Sequence, residues 1–569
     1  MNNATPFEDF AFASDPNIID FMVRKNEGFL SFARDNPNIV LTELIAGRYI
    51  VGYSPESYIE TVMQKLGTGY ISSMPYVMGL LGRSELESAG VIQMQQQPFL
   101  DLNGRGVLVG LVDTGIDYTN NAFIYEDGTS KIVSIYDQSV LGNPPEGFLF
   151  GTEYTNEQIN EALRAENPLE VVPHEDTSGH GTFLASIAAG REQEDNIGAA
   201  PQAELIIVKA RKARPYYLDK YLIPEDIEYA YETSTVMVGV NYIVQKAAQL
   251  NRPVSIFLGL GTNQGSHDGF SIFEEYLTSV SNRAGHCITL AAGNESQERH
   301  HTQGGIAAAG QSANIEVKVE NICDVYINLI NSAADRLSVS ITSPTGEVVG
   351  RVPAKSGTVF ETNLVLERAR VAVEYYFPVE GSSGQATIIK IRDATPGIWI
   401  ITVYGDIILD GTFNAYLHID GLSPGGLEFL KPVPNNTIVV PATSIGIIAT
   451  GAYDSSNNRL YSNSSWGPTN LPRMSPDIVA PGVNVSGIYP LGPGTMSGTS
   501  VAAAITAGAS ALMLQWGVID NNDVSISTYQ IRAFLIRGAI RDTKLNYPNP
   551  QWGYGRLNLI NSYNMMREI

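Results

Sequence analysis

The chain has 569 residues, 36 basic and 59 acidic, for a formal net charge of −23 at pH 7. That balance argues against a nucleic-acid partner or an anionic membrane surface and is most simply a device for solubility; 44% hydrophobic residues and 28 tyrosines argue against disorder. Two cysteines, Cys287 and Cys323, supply neither a disulfide framework nor a Cys/His zinc spacing, so no cofactor and no metal is expected.

The N-terminus, Met1-Asn2-Asn3-Ala4-Thr5-Pro6-Phe7-Glu8-Asp9, lacks a basic start followed by an apolar core, so no classical signal peptide is expected. Asn38–Ile45 and Arg48–Tyr53 read as strands, and Tyr58–Leu66 reads as an amphipathic helix. Residues 1–96 therefore read as a separate small α+β domain. Val107-Leu108-Val109-Gly110-Leu111-Val112 is a near-continuous apolar run, the pattern of a strand buried on both faces of a parallel sheet. Asp113 stands at its carboxyl end, where open α/β sheets place their ligands. An Asp-Thr-Gly is also an aspartic-protease signature, but that chemistry needs two carboxylates sharing a proton, and the chain has no second Asp-Thr-Gly or Asp-Ser-Gly.

His180, between Gly179 and Gly181, opens a small-residue helix; His174, His267, His286, His300 and His301 lack such framing. The apolar strand Cys287–Leu290 leads into Ala291-Ala292-Gly293-Asn294, and Asn294 is a side-chain donor suited to an oxyanion. Residues 311–436 carry short β-branched runs at Ile315–Val319, Arg336–Ile341, Gln385–Ile391 and Gly397–Val403, separated by turns such as Ser343-Pro344-Thr345-Gly346. That spacing predicts an antiparallel sandwich. Ser500, in Gly498-Thr499-Ser500, opens a helix whose N-terminus favours developing negative charge. Val501–Ile519 is nearly apolar over a membrane-spanning length, but its Ala, Gly, Ser and Thr content predicts a buried core helix. No transmembrane segment is expected.

Each site has an ordinary reading: a turn aspartate, a structural histidine, a Gly-Asn turn and an N-cap serine. Together they form a nucleophile, a base and a group to orient the base. The order Asp113, His180, Ser500 differs from that of α/β-hydrolases, and Ala502 breaks the Gly-x-Ser-x-Gly frame of an esterase.

The motifs Asp113-Thr114-Gly115, His180-Gly181-Thr182, Ala292-Gly293-Asn294 and Gly498-Thr499-Ser500 resemble those of the subtilisin family (subtilases) across residues 97–310 and 437–569. With Gly261-Thr262-Asn263-Gln264-Gly265-Ser266-His267-Asp268-Gly269, the chain is most similar to the clostridial Csp-type germination proteases. The resemblance implies an α/β fold: a parallel sheet with helices on both faces (97–310 and 437–569), an α+β prodomain (1–96) and an inserted jelly-roll-like β domain (311–436). It implies Asp113, His180 and Ser500 as the triad and Asn294 with the Ser500 N–H as the oxyanion hole. Gly259-Leu260-Gly261 then stands where Ser-Leu-Gly usually lines the substrate strand. Phe183 replaces a common second histidine, and Ala504 a common proline.

Self-cleavage of the prodomain is expected at Gln96–Gln97, because the next bond leads into Pro98, a tertiary amide. The protein substrate implied is the pro-form of a spore cortex-lytic hydrolase, and the location a bacterial spore. An alternative is a self-cleaved scaffold whose own prodomain stays bound and blocks the site, leaving a binding or signalling protein. Fluorophosphonate labelling of Ser500 separates the two.

Overall fold

A computed structural model describes residues 12–13, 15, 17–44, 47–67, 70–80, 89–95, 101–193, 197–379, 384–471 and 473–567. In the N-terminal unit, strand β1 (Ile18–Arg24) pairs antiparallel with β3 (Tyr49–Pro55), and β3 pairs with β2 (Val40–Glu43). Helix α1 (Glu27–Arg34) buries Phe29, Leu30 and Ala33, and α2 (Glu56–Leu66) buries Ile59, Val62 and Met63, the three-and-four spacing of one helix face. The Asn26 side chain caps α1 by accepting from the Phe29 N–H. Ile19, Phe21 and Val23 of β1 pack toward α1 and α2, whereas Ile18 and Met22 pack toward the central domain. Burial on both faces is why apolar residues stand at consecutive positions of β1 (Ile18 and Ile19, then Phe21, Met22 and Val23), interrupted by the buried Asp20, rather than alternating with polar ones. The short strand β4 (Val77–Leu80) and helix α3 (Val91–Gln95) follow.

The central domain is a nine-stranded sheet. Parallel strands β6 (Ile132–Asp137), β8 (Glu204–Lys209), β5 (Leu108–Asp113), β10 (Val254–Leu258), β12 (His286–Ala291) and β24 (Ile448–Asp454) lie side by side in that order. Antiparallel β7 (Thr152–Thr155) closes one edge; β25 (Arg459–Leu460) and parallel β26 (Ile478–Pro481) flank β24. Alternation along β5 sends Val109 and Leu111 to one face and Leu108 and Val112 to the other. Helices α4 (His180–Ala189) and α7 (Thr499–Leu514) cover the first face; α5 (Thr233–Gln249) and α6 (Ile272–Ser281) cover the second. The N-terminal sheet rests on this second layer: Ile18, Met22, Tyr49 and Val51 share its apolar cluster.

Between β12 and its neighbour β24 the chain leaves the sheet and returns. The excursion is a sandwich of two antiparallel sheets, as the β-branched runs predicted. One holds β13 (His301–Gly305), β22 (Thr412–Tyr416), β15 (Cys323–Asn331), β20 (Gln385–Ala394), β19 (Arg370–Tyr376) and β18 (Val359–Asn363); the other holds β17 (Val348–Val352), β16 (Arg336–Thr342), β21 (Gly397–Ile407), β14 (Ser312–Val319) and β23 (Leu427–Phe429). Their shared core includes the fully buried Trp399. A further apolar cluster joins all three units: Phe21, Phe29 and Val77 from the N-terminal unit, Tyr217 and Leu218 from the central domain, and Tyr326, Tyr376 and Ile388 from the sandwich.

Thr499–Ile519 is the one helical stretch among the described residues long and apolar enough to cross a membrane, with a mean hydropathy of 1.5. It is 83% buried and runs through the central core, which accounts for its being apolar all round. Among the described residues no group of three or more metal-ligating side chains converges.

Candidate active site

Three of the sequence-chosen residues meet at the carboxyl end of the sheet. Asp113 ends β5, fully buried. Its Oδ1 lies 2.7 Å from Nδ1 of His180, the first residue of α4, and also accepts the Thr114 N–H at 2.8 Å. Gly181 explains the close approach: a Cβ there would lie 2.2 Å from the carbonyl oxygen of Gly115, so a side chain would push α4 off the Asp113 loop. Ser500 lies in the first turn of α7 and is fully buried; its Oγ makes no hydrogen bond among the described residues. Triad contacts that are long in a free enzyme tighten when substrate binds.

Gly259 locates the nucleophile relative to the base. A Cβ at Gly259 would lie 2.9 Å from Ser500 Cβ and 3.2 Å from His180 Cε1, so the two side chains flank one glycine. That glycine leads into β11 (Leu260–Gly261), the predicted substrate strand. A glycine rather than a serine here leaves out side-chain bulk at the place where Ser500 and His180 approach each other.

Asn294 follows β12 and is partly exposed. Its Oδ1 accepts from the Thr499 N–H at 3.1 Å and the Thr499 hydroxyl at 3.2 Å. Because a backbone N–H can only donate, the oxygen must face Thr499, which turns the amide NH₂ away from Thr499. Thr499 Oγ1 accepts in turn from the Gly293 N–H at 3.1 Å. Asn294→Ala is expected to lower kcat about 10²–10³-fold with little change in KM; steady-state kinetics on a peptide substrate checks this.

Asp176, Thr114 and Thr182 were not legible as site residues. Asp176 is a buried carboxylate that accepts from the Thr114 hydroxyl (2.7 Å), the Gly179 N–H (2.8 Å), and the Thr182 N–H (2.8 Å) and hydroxyl (2.7 Å). Thr114 Oγ1 also accepts the Gly181 N–H at 2.9 Å. One carboxylate thus laces the Asp113 loop to the start of α4. The only sequence signal was an acidic residue in the polar turn before His180. His174, which lacked glycine framing, is a fully buried brace: its Nδ1 lies 2.6 Å from Asp137 Oδ2, and its Nε2 accepts the Ile116 N–H at 3.1 Å. Burial raises the Asp137 pKa, but the His174 hydrogen bond and the Ser139 hydroxyl more than offset it and hold the carboxyl below its ordinary value. Phe183 packs its ring 4.8 Å from Tyr489 on the hairpin β27 (Val485–Tyr489) and β28 (Gly492–Met496) that leads to Ser500. Gln96 and Gln97, the expected cleavage junction, lie outside the described residues.

A carboxylate-oriented imidazole beside a serine at a helix start, backed by an amide donor, defines the serine-peptidase class. The subtilase family pattern matches residues 104–353 and 428–555, and the chain belongs to that family of serine proteases. It is similar to the Clostridium perfringens CspB protease, whose structure it matches with a TM-score of 0.74 at 31% identity, covering 85% of this chain and 98% of that one. It is also similar to Subtilisin-like protease 4 of Trichophyton equinum (24% identity over 328 residues, 56% of this chain and 64% of the relative) and to the serine protease AprX of Bacillus subtilis (39% over 102 residues, 14% of this chain and 23% of the relative). The chain thus matches just under two thirds of the fungal relative and about a quarter of AprX.

Proposed function

We propose that this chain is a serine endopeptidase that processes its own N-terminal unit and then activates a second protein by limited proteolysis. The observation that carries the reading is the 2.7 Å contact of His180 with Asp113 on one side of Gly259 and the fully buried Ser500 on the other. Ser500 Oγ attacks the scissile carbonyl while His180 Nε2 takes its proton; Asp113 holds the tautomer that leaves Nε2 free to accept and stabilises the imidazolium. Asn294 and the Ser500 N–H hold the oxyanion. His180 returns the proton to the leaving amine, and water hydrolyses the acyl-enzyme.

The second protein we propose is the pro-form of a spore cortex-lytic hydrolase, following the resemblance to the Csp-type germination proteases. Incubating the purified chain with such a pro-enzyme should yield one shortened product, and Ser500→Ala should yield none. No cleavage, or digestion into many fragments, contradicts this substrate.

A second reading, that the N-terminal unit stays bound after processing, is supported by a buried ionic cluster. Asp20 of β1 is 1% exposed and contacts Arg214, with Ser234 donating to its other oxygen. Arg214 reaches Glu232 at 3.1 Å, and Arg211 lies 3.7 Å from both carboxylates. Removing one partner from a buried charged group typically costs about 3–5 kcal/mol. Asp20→Ala is therefore expected to release the N-terminal fragment from processed protein in size-exclusion chromatography, while wild type co-elutes.

A further inference from the structure

Asn294 holds the oxyanion through a side chain, so its aim depends on what fixes the backbone beside it. The Ser465 N–H donates to the Gly293 carbonyl at 2.8 Å, the Glu295 N–H to Ser465 Oγ at 3.0 Å, and the Ser296 N–H to the Asn463 carbonyl at 3.2 Å. The side chain that follows Asn294 adds a second anchor. Glu295 is a carboxylate only 2% exposed. Its Oε2 lies 3.0 Å from Nδ1 of the buried His300 and accepts from Asn263 Nδ2 at 3.3 Å; its Oε1 accepts the Asp420 N–H at 3.0 Å.

Those three donors come from three directions. Asn263 stands just past β11, an edge strand of a small sheet with β4 and β9 (Tyr231–Glu232). His300 immediately precedes β13, where the chain enters the sandwich, and Asp420 lies shortly beyond β22. The Leu417 N–H donates to the His300 carbonyl at 2.9 Å, which holds those two sandwich segments together. One carboxylate, next in sequence to Asn294, thus ties it to the substrate strand and to the inserted domain.

Two further carboxylates, Glu298 and Asp420, face His300. Burial lifts the Glu298 pKa, and the charges of Asp420 and Glu295 lift it further. Burial pulls the His300 pKa down, but the Glu295 hydrogen bond and the charges of Glu295, Asp420 and Glu298 more than offset it and hold the imidazole above its ordinary value. Nearby His418 is driven down to about 4 by burial and bonds through Nε2 to the Tyr221 carbonyl at 2.7 Å, so it is neutral where the enzyme works. Arg299 reaches the other way, to Glu428 at 2.5 Å. Among the described residues, His300 is the one cation in contact with Glu295.

We propose that His300 is a positioning residue for hydrolysis: protonated, it neutralises Glu295 and so holds the Asn294 amide on the oxyanion, which makes turnover depend on a second imidazole besides His180. The two imidazoles respond to pH in opposite directions. His180 must be neutral to take the serine proton, so activity rises as it loses its own. His300 must keep its proton. Its folded pKa lies above the ordinary 6.5, so its hold on the loop is complete below 6.5 and is lost as pH rises through the folded value. Neutral His300 still donates through Nδ1, but it leaves Glu295, Glu298 and Asp420 with no opposing charge, and their repulsion displaces the turn that carries Asn294. A displacement of about 1 Å can cost ~10²-fold in rate.

This inference rests on Ser500 as nucleophile and Asn294 as oxyanion donor, and the experiment keeps the claims apart. The probe is a fluorophosphonate: Ser500 Oγ bonds to phosphorus, His180 takes the serine proton, fluoride leaves, and the phosphonyl oxygen takes the oxyanion's place. The maximal labelling rate and the half-saturating concentration are measured on processed protein between about pH 5 and 10, with folding followed by circular dichroism. In wild type the maximal rate is expected to rise and then fall, at a nearly constant half-saturating concentration. His300→Gln keeps a donor without a charge; it is expected to be about tenfold slower at the wild-type optimum and to lose the alkaline fall while keeping the rise. Glu295→Gln should move the fall to lower pH. In an Asn294→Ala background, His300→Gln should add less than about twofold, because both act through one amide. A flat alkaline limb in wild type, a fall that persists in His300→Gln, or losses that multiply fully with Asn294→Ala overturn the proposal. If His300→Gln does not fold, the wild-type profile and Glu295→Gln decide. Labelling of Ser500 with a flat alkaline limb overturns this inference alone; no labelling of Ser500 at any pH overturns the peptidase reading with it.

Discussion

Replacing Ser500 with alanine is expected to lower kcat for peptide hydrolysis by about 10⁶-fold and to leave the chain at full length. Triad members act as a unit, so Ser500→Ala combined with His180→Ala is expected to cost little more than either change alone. The fold should not suffer. Ser500 Oγ is buried without a hydrogen bond among the described residues, and removing such a hydroxyl leaves none of their donors or acceptors stranded. Thermal unfolding of Ser500→Ala is therefore expected within a degree or two of wild type, or above it. A variant that retains activity within tenfold of wild type would mean a different nucleophile.

Asp113→Asn is expected to lower kcat by about 10⁴-fold with KM nearly unchanged. The carboxylate accepts from both His180 Nδ1 and the Thr114 N–H through one oxygen. An amide oxygen at that position keeps both contacts but carries no charge to stabilise the imidazolium that forms as His180 takes the Ser500 proton; an amide turned over instead presents NH₂ to Nδ1, fixes the imidazole proton on Nε2 and blocks transfer from Ser500. Because the change is isosteric and Asp176 still laces Thr114, Gly179 and Thr182 together, substrate binding should survive. Steady-state kinetics separates kcat from KM; a large rise in KM at unchanged kcat would place Asp113 in binding rather than in orienting the base.

The central sheet was legible because its chemistry sits at pattern breaks. Val107–Val112 ends abruptly at Asp113, and the strand before Asn294 ends at Gly293, so both residues could be placed at strand ends from the sequence. The β-sandwich was legible from β-branched runs divided by turns, although its first strand, His301–Gly305, carries two glycines and no such signal. Strand β1 was not placed, because Ile18–Arg24 is buried on both faces and shows no alternation. Asp176 and His174 were missed because their importance lies in partners far along the chain, such as Thr114 and Asp137. Strand β4 was missed because four residues, one of them glycine, carry almost no strand signal; its pairing with Leu260–Gly261 and Tyr231–Glu232 exists only in three dimensions.

The central claim is that His180 and Asp113 activate Ser500. The most direct measurement is the mass-spectrometric location of a fluorophosphonate adduct on processed wild type, with Asp113→Asn and Ser500→Ala alongside. One adduct on the peptide carrying Ser500, formed far more slowly in Asp113→Asn and absent in Ser500→Ala, is the predicted result. An adduct on another residue, or none on Ser500 in wild type, would contradict the account.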